Sequence, residues 1–230
     1  SIQKDNYFMG NLRVIAIFIG FLLIIATFTY PSWRPRPVLE MAEDIFPELS
    51  EELRPLFDEL PDPVQAIYLV LRQENSRIAG ELVTARLTPP ERLIEDMPDI
   101  SNAPLIASGS FAPVTLPDDE VERELPPYQS LYDETLGDVA IYRYPDDKQF
   151  LRLENFSVVN GPNLRVYLAT TVDPLTVEEL GNTYLDLGSL RSNSGNQNYE
   201  IPPQARFSEY VSVVIFDTIS GHIFGVARIG

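Results

Sequence analysis

The feature that most constrains this chain is "VIAIFIGFLLIIATFTY", residues 14 to 30, which holds no charged side chain. At about 1.5 Å per residue such a run makes a helix of roughly 26 Å, close to the hydrocarbon thickness of a bilayer of about 30 Å. Tyr7, Phe8, Tyr30 and Trp33 stand where interfacial aromatic rings belong, and Arg13, Arg34 and Arg36 close the two ends. A cleaved leader is the rival reading. The apolar run is long for one, and "ATFTYPSWRP" makes a poor small-x-small cleavage site. The stretch therefore reads as a retained signal-anchor. A short N-terminal tail stays on the cytoplasmic side, which places residues 31–230 outside the cytoplasm. The lipid bilayer is the first expected partner.

Charge and composition then narrow the chemistry. Acidic residues outnumber basic ones 34 to 17, a net charge of -17. Such a surface repels nucleic acid and anionic headgroups and suits a soluble face or a cationic partner. No cysteine is present, so disulfides, thiolate metal sites, iron–sulfur clusters and Cys nucleophiles are excluded. A single histidine, His222, leaves no companion for a His-based metal centre and hinders a Ser-His-Asp triad. No phosphate loop, zinc signature or calcium loop occurs. No catalytic residue, metal ligand or cofactor is expected from these residues.

Five regions follow from the patterning. Residues 1–13 are a short tail, 14–30 the transmembrane helix, and 31–37 a Pro-rich spacer. Residues 38–104 form a helical stalk or cap, and 105–230 a β domain. Within the cap, Asp62-Pro63-Val64-Gln65 has the grammar of a helix start: an Asp cap, Pro at the first position and Gln three residues on. Val64, Ile67, Leu71, Ile78 and Leu82 continue one apolar face, with Gly80 its weak point. Thr88-Pro89-Pro90-Glu91 repeats the grammar and predicts a short helix carrying Leu93 and Ile94. An earlier helix is expected over 38–59, broken at Pro47 and Pro55.

From about residue 105 seven β-rich runs alternate with turn residues: "LIASGSFAPV", "DVAIYRY", "QFLRLENFSVV", "NLRVYLATTV", "TYLDLGSL", "YVSVVIFD" and "HIFGVARI". The fold class is thus an all-β antiparallel sandwich, preceded by one transmembrane helix and a short α-helical segment. The connection over 113–135 is long, acidic and proline-rich, a flap or a contact surface. Asn160-Gly161-Pro162 predicts a turn with positive φ at its Asn-Gly pair. Gln197, Asn198 and Tyr199 offer amide and hydroxyl groups to backbone between the two sheets, or line a pocket. His222 follows a turn glycine.

"FLRLENFSVVNGPNLRVYL", then "YLDLGSLRSNSGNQNYEIP", then "YVSVVIFDTISGHIFGVARI" resemble the DM-thirteen domain family over roughly residues 105–229. The resemblance implies a sandwich of the kind found beside cytochrome-type modules, and a redox role inferred from a Cys in the final hairpin. Here the chain departs from the pattern. The family's Val-Ile-Trp-Cys reads Val214-Ile215-Phe216-Asp217, and a carboxylate does no thiol chemistry. Asp217 opens "DTISG", where it can accept backbone N–H bonds and shape a turn. The resulting expectation is a non-catalytic accessory subunit of a membrane complex, of electron-transport or photosynthetic type. It would contact other membrane proteins through its helix and outer domains. A redox or ligand-binding module is the alternative, and a carboxylate-based hydrolase ranks below both.

Overall fold

Short β-branched and aromatic runs that alternate about a buried face can be satisfied only by pairing, and here they pair into two sheets. The computed structural model describes residues 46–112, 135–205 and 207–230. The transmembrane helix expected over 14–30, the spacer over 31–37 and nearly all of the 113–135 connection lie outside the described residues. Among the described residues no helix is long and apolar enough to cross a membrane.

Among the described residues three helices come first: α1 (Arg54–Asp58), α2 (Asp62–Glu74) and α3 (Ser76–Leu87). Nine strands follow: β1 (Arg92–Ile94), β2 (Leu105–Ser110), β3 (Leu136–Arg143), β4 (Gln149–Ser157), β5 (Leu164–Ala169), β6 (Tyr184–Ser189), β7 (Ser194–Ile201), β8 (Ser212–Asp217) and β9 (His222–Arg228). A one-turn helix α4 (Val177–Leu180) lies between β5 and β6. The first sheet has the order β1-β7-β4-β3-β2 and the second β6-β5-β8-β9. All pairings are antiparallel except β1 with β7. At one edge the sheets meet, where Phe111 bridges Ala227 and Ser108 exchanges two backbone hydrogen bonds with Gly230.

The core is one continuous apolar cluster. Val139, Ile141, Leu151, Leu153 and Ile201 from the first sheet join Val166, Leu168, Val213, Ile215 and Phe224 from the second. Phe46, Phe57, Tyr68, Leu82 and Val83 of the helical layer belong to the same cluster. Each such side chain contributes about 1.5–3 kcal/mol by leaving water. A smaller cluster gathers Tyr167, Val214, Phe216 and Ile223 with Leu180 of α4. The Thr176 hydroxyl caps α4 by accepting from the Glu179 N–H at 3.3 Å.

Three local expectations are corrected. The apolar face drawn from Val64 to Leu82 belongs to two helices. Asn75, extended at ψ 98°, ends α2, and its side chain caps α3 by accepting from the Ile78 N–H at 3.2 Å. A local side-chain acceptor outcompetes the continuation of the ladder here. Asp62 makes no side-chain capping bond, and Gln65 donates back to the Leu60 carbonyl at 2.7 Å. Pro55 stands in the first turn of α1, so a helical piece starts where the break was expected, while residues 38–45 lie outside the described residues.

The helix expected after Thr88 is instead strand β1, because two successive prolines keep the residues before them extended. Thr88 sits at ψ 131°, and Arg92 to Ile94 then run parallel to Ser194 to Asn196. The hydroxyls of Ser192 and Ser194 both donate to the Glu91 carbonyl, at 2.7 and 2.9 Å. β7 itself covers "SGNQNYEI", which sequence patterning assigned partly to a turn.

Gly195 makes the parallel pairing possible. Its φ is 107°, and a Cβ there would fall on the Leu93 carbonyl oxygen. Replacing Gly195 with Ala therefore combines left-handed strain with a backbone clash. The expected cost is about 2–4 kcal/mol, read as a lower urea midpoint at unchanged m-value.

Candidate functional site

Helix α3 has small side chains at four-residue spacing, Ser76, Gly80 and Thr84, with Thr88 just past its end, so one of its faces is shallow. That face forms one wall of a cleft of about 940 Å³. The opposite wall is the 160–164 loop with residues 189–193, and Ile219 of the final hairpin closes one end. The Asn160 amide donates to the Thr88 carbonyl at 2.9 Å and ties the loop to the end of α3. Asn160, Gly161 and Pro162 all line this cleft.

The positive φ expected for Asn160-Gly161 is not adopted, since neither residue occupies the left-handed region. Glycine at 161 answers to crowding instead. A Cβ there would lie 2.6 Å from Leu164 Cδ2, 2.7 Å from Asp217 Oδ2 and 2.9 Å from Phe224 Cζ. The loop passes directly over the side chain of Asp217.

Asp217 ends β8 and is completely buried. Its carboxylate accepts three backbone hydrogen bonds: Oδ1 from the N–H groups of Ile219 at 2.8 Å and Ser220 at 2.9 Å, and Oδ2 from Asn163 at 3.0 Å. The first two form the turn that leads into β9. The third reaches across to the loop before β5, so one carboxylate joins two chain segments. The Asn163 amide reinforces this by donating to the Thr218 hydroxyl at 2.6 Å. A buried carboxylate with this many donors is a turn clamp.

His222 pairs with Asp217 across the β8–β9 ladder. Desolvation pushes its pKa down to about 4, and the neighbouring Asp217 charge only partly opposes that. Gln197, Asn198 and Tyr199 lie in β7, away from the Asp217 turn, and form a second group. Gln197 is fully buried. Its Oε1 accepts from the N–H groups of Arg191 and Ser192 and from the Tyr199 hydroxyl at 2.8 Å, while its Nε2 donates to the Ser192 carbonyl at 2.6 Å. Tyr199, pushed up to about 12 chiefly by burial, lies beneath the Arg191 guanidinium.

Asn198 points to the opposite face. There its Oδ1 accepts from Arg152 at 2.9 Å and its N–H donates to Glu95 at 2.6 Å. Glu95 also pairs with Arg191. Arg152, with a side chain only 4% exposed, binds Glu154 at 2.7 Å and the carbonyls of Glu95 and Asp96. Arg152, Glu95 and Arg191 escaped sequence reasoning, although an arginine inside "FLRLE" is a readable sign of a covered outer face. The small-residue spacing of α3 was likewise readable. Among the described residues no group of three or more His, Asp or Glu converges as a metal site would.

Two sheets, antiparallel but for the β1–β7 pair, with the Asn-Gly-Pro loop clamped to the last hairpin, define a β-sandwich domain carrying a helical layer. Residues 128–229 match the model of the family described as Electron transfer DM13, and this part of the chain is a DM13 domain. No curated protein and no solved structure matches the chain.

Two measurements test the turn. Asp217→Ala strands three backbone donors and is expected to cost about 3 kcal/mol or more, whereas Asp217→Asn, which keeps one acceptor oxygen, costs less. Chemical denaturation at pH 7 ranks the two. For His222 the folded-state pKa lies below the unfolded value of 6.5. The unfolded chain therefore binds the proton first, and stability is lost as pH falls from about 6.5 towards about 4. Against His222→Gln, the native protein should lose up to about 3 kcal/mol more over that interval, measured by urea titration at each pH.

Proposed function

We propose that this chain is a single-pass, membrane-anchored protein whose outer domain acts without catalysis, as an accessory subunit of a membrane complex. The complex is of electron-transport or photosynthetic type. The N-terminal tail is cytoplasmic and the DM13 domain extracytoplasmic. The observation that carries this reading is the state of Asp217. At the position where the resemblance puts the family's thiol, the side chain is buried and engaged by three backbone N–H groups. Three of the roughly four acceptor sites of such a carboxylate are already spent on backbone, and a carboxylate has no redox couple of its own. The uncharged run over 14–30 supplies the bilayer attachment. An outer domain held by hydrogen bonds between distant segments then supplies a surface for neighbouring subunits.

The family description favours the second reading, a redox or ligand-binding module. That reading requires a group other than a cysteine to carry the electron or hold the ligand.

A mild-detergent pull-down of the full chain separates the two. Co-purification of integral membrane subunits at fixed stoichiometry is the expected result, from a preparation whose visible spectrum is flat once those subunits are removed. A protein that runs alone as a monomer overturns the accessory reading. A chromophore band that stays with the isolated chain supports the module.

A further inference from the structure

Two phenols on the outer face of the second sheet serve neither the Asp217 clamp nor the cleft. Tyr167 of β5 alternates with Val166 and Leu168, which belong to the main core, so its ring points the other way. There it stacks on Tyr184 of β6, with ring centres 4.4 Å apart and planes 9° apart. Strand register arranges this. Tyr167 stands opposite Asp186 and Ala169 opposite Tyr184, so the rings are diagonal neighbours, and Ala169 is small enough to leave Tyr184 room. Tyr142 and Tyr144 instead meet Phe150, and Tyr199 lies under Arg191.

The two stacked rings differ in access. Tyr167 is 3% exposed and also touches the Phe216 ring at 5.5 Å, whereas Tyr184 is 40% exposed on the edge strand of its sheet. Burial, with Asp186 and Tyr184 adding to it, pushes the Tyr167 phenol up to about 12, so it keeps its proton at neutral pH. The Tyr184 hydroxyl acts on it directly, so the two oxygens, and the ortho carbons beside them, share one end of the stack.

Composition then selects the chemistry. The chain has no cysteine, and its single tryptophan, Trp33, lies outside the described residues. Among the described residues no thiol or indole competes for an oxidant, and phenols give up a single electron most readily. A positive hole on one ring is drawn to the face of the next, as a cation is. A phenoxyl radical carries its unpaired electron in orbitals perpendicular to the ring, at oxygen and at the ortho carbons. Two such radicals therefore join face to face, which is the arrangement of this pair.

We propose that Tyr167 and Tyr184 form an oxidative modification site, where a one-electron metal-centred oxidant working at Tyr184 joins β5 to β6 through a dityrosine link. Tyr184 loses an electron to the oxidant and its hydroxyl proton to water. Tyr167, out of the oxidant's reach, refills Tyr184 with an electron and a proton, and a second oxidant takes Tyr184 again. One ortho carbon of each ring then bonds to the other, and the hydrogens on those carbons move to the oxygens, restoring both phenols. The net change is loss of two electrons and two protons, with two oxidant centres each reduced by one electron. The inference goes beyond both readings of the function, neither of which assigns these rings a role.

The test uses the full chain, dilute and in mild detergent, with tris(bipyridyl)ruthenium oxidised by light and persulfate as the final electron acceptor. Peptide mapping by mass spectrometry locates the links, and dityrosine fluorescence measures their total. The expected main product is an intrachain link between the Tyr167 and Tyr184 peptides, lighter by two hydrogens. Tyr184→Phe and Tyr167→Phe, each with unchanged melting temperature, should lose most of the fluorescence, while Tyr144→Phe keeps it. Links formed chiefly at other tyrosines, or fluorescence in Tyr184→Phe equal to that of the native protein, overturn the assignment. Dimers joined through Tyr184 in place of the intrachain link also overturn it, since exposure alone would then decide the product. A native protein that forms no dityrosine at all has the same consequence.

Discussion

One carboxylate organises the end of the sandwich at which the helices meet the sheets. Asp217 lies at the end of β8, yet its bonds reach forward into the turn before β9 and sideways to Asn163 before β5. Because those donors are backbone groups, the clamp sets chain path instead of side-chain chemistry. The loop it holds is also the loop that Asn160 ties to α3. The cleft thus has one wall fixed by a buried charge and the other by a helix. A buried carboxylate is costly unless it is fully bonded, which explains why Gly161 must come so close: any side chain there would push the loop off its acceptor.

Much of this was readable beforehand, and particular residues show where reading stopped. All seven β-rich runs became strands, because alternation of Val, Ile, Leu and aromatic residues reports a half-buried pleated surface directly. β7 was missed, and its first two residues, Ser194 and Gly195, read as part of a turn. Its alternating residues are Gly195, Gln197 and Tyr199, and burial of an amide leaves no hydrophobic trace in composition. β1 was read as helix since Pro-Pro-Glu is ambiguous locally, and only its partner in β7 decides the outcome.

The same contrast holds within the site. Asp217 was legible as a turn former, and its motif neighbours Asn160, Gly161 and Pro162 proved to share its corner of the fold. Gln197, Asn198 and Tyr199 form a separate group that secures the 189–198 segment and the chain after β1. Arg152 could not be placed from sequence. Its bonds go to the carbonyls of Glu95 and Asp96, more than fifty residues earlier, which only the tertiary fold brings beside it. Long-range polar bonds of this kind are invisible to periodicity.

The chain leaves the described body just after Phe111 and returns at Thr135, and both ends rest on the same strand. Phe111 is bridged to Ala227, and the Thr135 hydroxyl donates to the Phe224 carbonyl, both in β9. The two anchorages fix the span that the intervening residues must bridge, whatever their number. Both flanks therefore stay attached to β9 independently of each other, so a single cut in the chain between them would leave each one held in place.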